Sequence, residues 1–276
     1  MSETLTYFRG KGGSEGPSVA ATAPAVRHGI GCFTTARWRR SQLVWRDDHL
    51  ARLRATLAYF GWEGPTDLEK ETAEAEAFFR EAVPEQAGTL RLALLDLGLR
   101  LELCATFHPE TLPPALGAAG LRVALTDPTD SFFQIASHGA WKVASYLSYR
   151  EARRRVEAAG FDEGLLWHPD GGLAEACYAN VFLRSNGCWL TPALRPRGPL
   201  PGLARARALA LLESLRHRAV EVASLDSTTI QTADAAFLTN ARIGLAPVRS
   251  LGGRQLPKRE FEEVQALRRA FEAAFA

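Results

Sequence analysis

The stretch HPETLPPALGAAG, residues 108–120, constrains the chain more than any other. Its proline and glycine content suits a connection and not a helix or strand. It divides the chain into a domain over 1–107, a linker over 108–120 and a larger domain over 121–276. Before it, LVW at 43–45 reads as a short strand, and Leu50, Leu53, Leu57 and Phe60 recur at helical spacing until Gly61 closes the segment. A second helix is predicted over 66–83, and TLRLALLD and LRLELCATF form two strands joined near Gly98. After the linker come a strand (LRVAL), a helix from about 143 to 160, and short strands through 163–192 joined by Asp-Gly-Gly and Asn-Gly turns. Another helix opens after Leu200-Pro201-Gly202; DSTTI (226–230) forms a short helix, AAFLTN (235–240) a strand, and an amphipathic helix runs on from Pro257. The predicted class is α+β (mixed α/β) in both halves, without the regular βαβ alternation of a dinucleotide-binding sheet. Residues 10–25 read as loop, and no opening strand pair is expected before residue 28. The GKGG within them lacks the spacing of a phosphate loop.

A formal net charge of +2 implies no general attraction to nucleic acid or membrane. No apolar run is long enough to span a bilayer and no leader pattern opens the chain, so the expected location is cytoplasmic. Cysteines 32, 104, 177 and 188 lack metal or disulfide-scaffold spacing, and the six histidines are ungrouped; no metal is expected.

Four of the 33 basic residues are lysine: Lys11, Lys70, Lys142 and Lys258. In a chain so biased to arginine, a retained lysine invites a search for what arginine cannot do, which is to lose its proton and act as nucleophile or base. Solvated surface explains three of them. Lys142, in HGAWKVASYL, is either such an amine or a snorkelling lysine at a helix start. Glu175 sits in the apolar run LAEACYANVF, where a buried carboxylate needs a partner such as a protonated pyridine nitrogen; the other reading is a strand-end glutamate in water. Pro201-Gly202-Leu203-Ala204 opens a helix whose free N–H groups favour a phosphate, and Arg52 is a second candidate for the same anion, or else part of a solvated helix face.

Seven blocks occur in order: GCFTTAR (31–37), DHLARL (48–53), WK followed by SYL (141–147), GFDEGLLWHPDGGLAEACYANVFL (160–183), LTP (190–192), LPGLAR (200–205) and LTNARIGLAPV (238–248). Together they resemble the class-IV aminotransferase family, the fold-type IV pyridoxal-phosphate (PLP) enzymes. That family includes branched-chain and D-amino-acid aminotransferases and 4-amino-4-deoxychorismate lyase. The resemblance implies that Lys142 is the Schiff-base lysine and proton shuttle, that Glu175 faces the pyridine nitrogen, and that Arg52 binds the phosphate. It places Tyr146 near the ring hydroxyl, Leu203 and Ala204 as backbone donors to the phosphate, and Asn240 and Ala241 at a second phosphate-contacting turn. Asn180 matches the asparagine of the family's E-x-x-x-x-N-x-F pattern. The cofactor would lie in the cleft between two domains of a homodimer acting on a small-molecule amine.

Within the family, GCFTTAR and TNA look most like aminodeoxychorismate lyase, which forms 4-aminobenzoate and pyruvate for folate precursor synthesis. Thr35 is similar in position to a threonine that places substrate or a proton in the lyases. The alternatives are a branched-chain or D-amino-acid type aminotransferase, and a non-catalytic protein of the same fold. Ile30 stands where the family has an acidic residue. DLGLRL (96–101) is short where lyases have a loop contacting substrate carboxylates, which leaves Arg91 and Arg100 as candidates for that contact.

Overall fold

Apolar residues at every second position of three long strands build the first of two sheets in the computed structural model, which describes residues 4–14, 18–109 and 119–275. Contacts group Met1–Thr111 with Trp141–Tyr146 as one unit, and Leu112–Ala140 with Leu147–Ala276 as the other. The first unit contains β1 (Leu5–Phe8), β2 (Lys11–Gly13), α1 (Pro24–His28), β3 (Gly31–Arg39), β4 (Gln42–Leu43), α2 (Arg46–Phe60), α3 (Leu68–Ala82), β5 (Gly88–Asp96) and β6 (Leu101–Pro109). Its six strands run in the order β2-β1-β6-β5-β3-β4, every pair antiparallel. Cys32, Ala36 and Trp38 of β3, Leu90, Leu92 and Leu94 of β5, and Leu103 and Phe107 of β6 are buried with Leu50 and Leu53 of α2 and Phe79 of α3. The alternate residues of β3 and β5, including Phe33, Thr35 and Arg91, therefore stand on the other face. Gly61 ends α2 in the left-handed conformation (φ 64°), and Asp67 caps α3 by accepting from the Lys70 N–H.

The second unit contains β7 (Leu121–Ala124), α4 (Leu147–Ala158), β8 (Glu163–Trp167), β9 (Leu173–Ala176), β10 (Asn180–Ser185), β11 (Cys188–Pro192), α5 (Leu203–Ser214), β12 (Ala219–Val222), α6 (Ser227–Thr232), β13 (Ala235–Asn240), β14 (Gly244–Leu251), β15 (Arg254–Gln255) and α7 (Lys258–Phe275). The strand order is β12-β11-β10-β13-β14-β7-β8-β9, with β15 added on β14. Parallel pairs need a crossover, and helices supply it: α4 lies between β7 and β8, and α5 between β11 and β12. Leu165, Val181, Leu238 and Val248 belong to one buried cluster beneath this sheet. Among the described residues no helix is long and apolar enough to cross a membrane.

Several expectations change. An opening strand pair does exist: β1 pairs with β2 across a turn at Arg9 and Gly10, both with positive φ, and with the edge of β6, where Leu5 faces Phe107. The GKGG stretch read as loop thus supplies the strand β2. The helix expected from about 143 starts at Leu147, because the residues before it spend their backbone hydrogen bonds on β3. For the same reason Lys142, assigned by sequence to the larger domain, is grouped with the first unit. Of the expected linker, His108 and Pro109 end β6 and residues 110–118 lie outside the described residues.

Candidate functional site

The first unit holds Lys142 through a short antiparallel pairing with β3. The Phe33 N–H donates to the Lys142 carbonyl at 2.9 Å and the Ala144 N–H to the Gly31 carbonyl at 2.8 Å. Val143 bridges Cys32 and shares its buried side, so strand alternation turns Lys142 to the other face, with Phe33. There its Nζ lies 4.7 Å from the Phe33 ring centroid and 5.2 Å from that of Tyr146; the two rings meet edge-on at 5.4 Å. The flanking residues fix the segment from both ends. Trp141 stacks on Tyr59 of α2 at 4.2 Å, and Ser145 Oγ donates to the His28 and Gly29 carbonyls. Lys11, Lys70 and Lys258 are exposed, whereas Lys142 is half-buried. The helix-start reading is therefore set aside.

Two arginines of the same unit share this environment. The Arg91 guanidinium lies 3.5 Å from the Phe33 ring centroid; burial lowers its pKa, against the opposing influence of Tyr146 and Cys104. Burial pushes Arg52 down to about 10, again opposed by Asp48 and Tyr146. Both remain cations at neutral pH, and a partly desolvated cation favours an anionic ligand. Thr35 is in register with Arg91 on the neighbouring strand. Arg100 is elsewhere: it is exposed and donates to Thr66 Oγ1 at 2.7 Å, so it does not join Arg91.

In the second unit Glu175, on β9, is 5% exposed. Its Oε2 accepts from the Leu200 N–H at 3.1 Å and from Asn180 Nδ2 at 3.4 Å, and its Oε1 from the Tyr149 hydroxyl at 3.4 Å. Each is a neutral donor, and donors to a carboxylate favour its ionised form. A buried carboxylate oriented by these donors can pair with a protonated ring nitrogen, so this chain's own residues fit the cofactor implied by the resemblance. Asn180 also donates to the Leu200 carbonyl at 2.8 Å, tying β10 to the segment leading into α5. Leu203 and Ala204 form the first turn of α5 after Gly202, which offers no side-chain cap, so the turn presents backbone N–H groups. Asn240 accepts from the Arg242 and Ile243 N–H groups at 2.9 and 2.8 Å and donates to the Tyr178 carbonyl at 2.8 Å. Its amide is thus occupied in shaping the turn, and Ala241 has only backbone to offer a ligand. Tyr149 is the residue sequence reasoning passed over. Tyr149, Ala152 and Val156 make the buried stripe of α4, and a tyrosine on such a stripe reads as core.

Comparisons with known proteins find relatives in sequence and in fold. The family described as Amino-transferase class IV matches residues 31–251. The aminodeoxychorismate lyase of Bacillus subtilis is 29% identical over 141 residues, 50% of this chain and 44% of the relative. The branched-chain-amino-acid aminotransferase of Pseudomonas aeruginosa is 26% identical over 137 residues, again 50% and 44%. Among such relatives branched-chain aminotransferases predominate. The matched stretches span between 35% and 64% of the curated relatives' lengths. In fold, the branched-chain aminotransferase of the thermophilic archaeon Thermoproteus uzoniensis, solved with norvaline, superposes with a TM-score of 0.83 at 19% identity, covering 97% of this chain and 93% of that one.

Proposed function

The chain belongs to the amino-transferase class IV family, and from that premise we propose that it is a PLP-dependent aminotransferase, acting as a homodimer, that moves an amino group between an amino acid and a 2-oxo acid. The observation that carries the reading is Lys142: alone of four lysines it is half-buried, set over two aromatic rings in a unit that also half-buries Arg52 and Arg91. Bound, PLP supplies an electron sink for the carbon that carries the substrate's amine. The chain supplies the rest. Lys142 Nζ holds the cofactor covalently and moves the proton at that carbon. Glu175 pairs with the ring nitrogen, and Tyr146 attends the ring hydroxyl. Arg52, the first-turn N–H groups of Leu203 and Ala204, and the turn at Asn240 and Ala241 take the phosphate. Arg91, beside Thr35, receives a substrate carboxylate.

The lyase reading rested on GCFTTAR and TNA, and both blocks have framework duties here. Thr34 is fully buried and hydrogen-bonded to His49 of α2, while Asn240 shapes its own turn. Such residues speak for the fold more than for the reaction, and the predominance of branched-chain aminotransferases among the relatives favours amino transfer. The Bacillus subtilis relative keeps the lyase as the second reading. One experiment separates them. Mixed with a branched-chain amino acid alone, PLP-loaded protein is expected to lose its visible band as bound PLP becomes the pyridoxamine form, and to regain it with a 2-oxo acid. No change with any amino acid, together with pyruvate released from aminodeoxychorismate, would reverse the order.

Arg52 yields a second expected result. Replacing it by glutamine removes charge-assisted hydrogen bonds that contribute about 1.5–3 kcal/mol. The dissociation constant for PLP should then rise roughly 10- to 100-fold while that for pyridoxal, which lacks the phosphate, stays put. Equal losses for both ligands, measured by fluorescence titration, would remove Arg52 from the phosphate site.

A further inference from the structure

Glu175 is the side chain on which the cofactor reading leans in the second unit, and its support includes a residue that no family pattern quoted above contains. Tyr149 is 6% exposed, on the inner stripe of α4. A phenylalanine would fill the same volume; a buried hydroxyl needs an acceptor, and here the acceptor is Glu175 Oε1. The surroundings leave room for that hydroxyl. A Cβ on Gly139 would fall 3.0 Å from the Tyr149 hydroxyl and 2.7 Å from the Arg197 carbonyl, so even alanine there would crowd it. Asn180 is accommodated in the same way, because a Cβ on Gly202 would collide with its Oδ1. Two glycines thus make space for two groups that donate to Glu175, Tyr149 from α4 on one carboxylate oxygen and Asn180 from β10 on the other, where the Leu200 N–H also donates.

We propose that Tyr149 is a positioning residue for Glu175: its hydroxyl, given space by Gly139, holds one carboxylate oxygen so that Glu175 stays ionised and oriented to pair with a protonated ring nitrogen. The proposal rests on the PLP reading above and adds to it a residue acting through Glu175. A phenol oriented in this way strengthens selection for a cofactor that carries a ring nitrogen. A tyrosine serving only as core would affect all ligands of the site alike.

The test compares two ligands on cofactor-free protein: PLP, and its 1-deaza analogue, in which carbon replaces the ring nitrogen. Tyr149→Phe is expected to weaken PLP about 3- to 10-fold, the loss of one hydrogen bond, and to leave the deaza analogue within twofold of wild type. Glu175→Gln should show the same selectivity with a larger loss. Tyr149→Met, which removes the hydroxyl with a flexible apolar side chain, should reproduce the Tyr149→Phe pattern and carries the test if that variant does not fold. Equal weakening of both ligands, or no change for either, overturns the positioning role while leaving the PLP reading intact. Failure of wild type to bind PLP at all overturns both.

Discussion

Replacing Lys142 by alanine is expected to abolish the borohydride-trappable PLP adduct and to lower amino transfer by roughly 1,000-fold or more, since in the proposed function the same amine is both the cofactor's anchor and the proton carrier. Arginine at this position should be no better than alanine, because a guanidinium keeps its charge and forms no imine. The chain offers a clean readout. Its other three lysines are exposed, so they should be trapped weakly and without selectivity. Peptide mass analysis after borohydride should place the phosphopyridoxyl mass on Lys142 in wild type and nowhere in the variant. A trapped adduct of undiminished yield in Lys142→Ala, at another lysine, would sink the assignment.

The largest expected effect on stability lies in the second unit. Glu163, 5% exposed on β8, accepts from Arg153 of α4 at 2.7 Å. Burial pushes its carboxyl above the usual range, and Arg153 pulls it back. Arg153→Met would strand that carboxylate, and breaking a buried pair from one side costs about 3–5 kcal/mol. For a chain of this size the thermal midpoint should fall by roughly 6–15 °C near pH 8. The pH dependence has a definite sign. With the folded-state pKa raised, the folded protein keeps a proton that the unfolded chain has already released, so stability falls as pH climbs from the ordinary carboxylate value through the folded one. Removing Arg153 raises the folded value further and extends the fall upward. The deficit against wild type should therefore shrink at pH 5, and Glu163→Gln added to Arg153→Met should recover part of it at pH 8. A deficit of the same size at both pH values would mean that lost packing, and not the stranded charge, dominates.

Much of this was legible in the residues. The spacing of Leu50 and Leu53 with Gly61 after it marks α2, and the alternation Leu90, Leu92, Leu94 marks β5, because helix and strand periods are local properties. Lys142 stands out through what surrounds it in composition, a chain that uses arginine nearly everywhere else. What the sequence hides is structure made by distant pairing. LTYF becomes a strand because the edge of β6, about a hundred residues away, offers it backbone partners, and KGG then pairs with LTYF. VASYLSYREARRR has the polarity of one continuous helix, yet its first residues are drawn to β3. Tyr149 was passed over for a related reason: its polar tip matters through Glu175, which lies on a different element. Lyase and aminotransferase share their electron sink and their lysine, so the choice between them turns on substrate contacts that no motif spells out.

The borrowing of Trp141–Tyr146 by the first unit also orders events on the ribosome. Domains tend to fold as they emerge, the N-terminal one first. Here the six-stranded sheet leaves the exit tunnel without the segment that carries its lysine, and residues 112–140, which belong to the other unit, must be translated before that segment arrives. A nascent chain halted before Trp141 is made, yet long enough for β6 to clear the tunnel, should thus hold a folded sheet with an unfilled place along β3. A gene fragment cut at the boundary suggested by the proline-rich stretch would make the same incomplete body permanently, lacking the amine of Lys142 on which the proposed function rests.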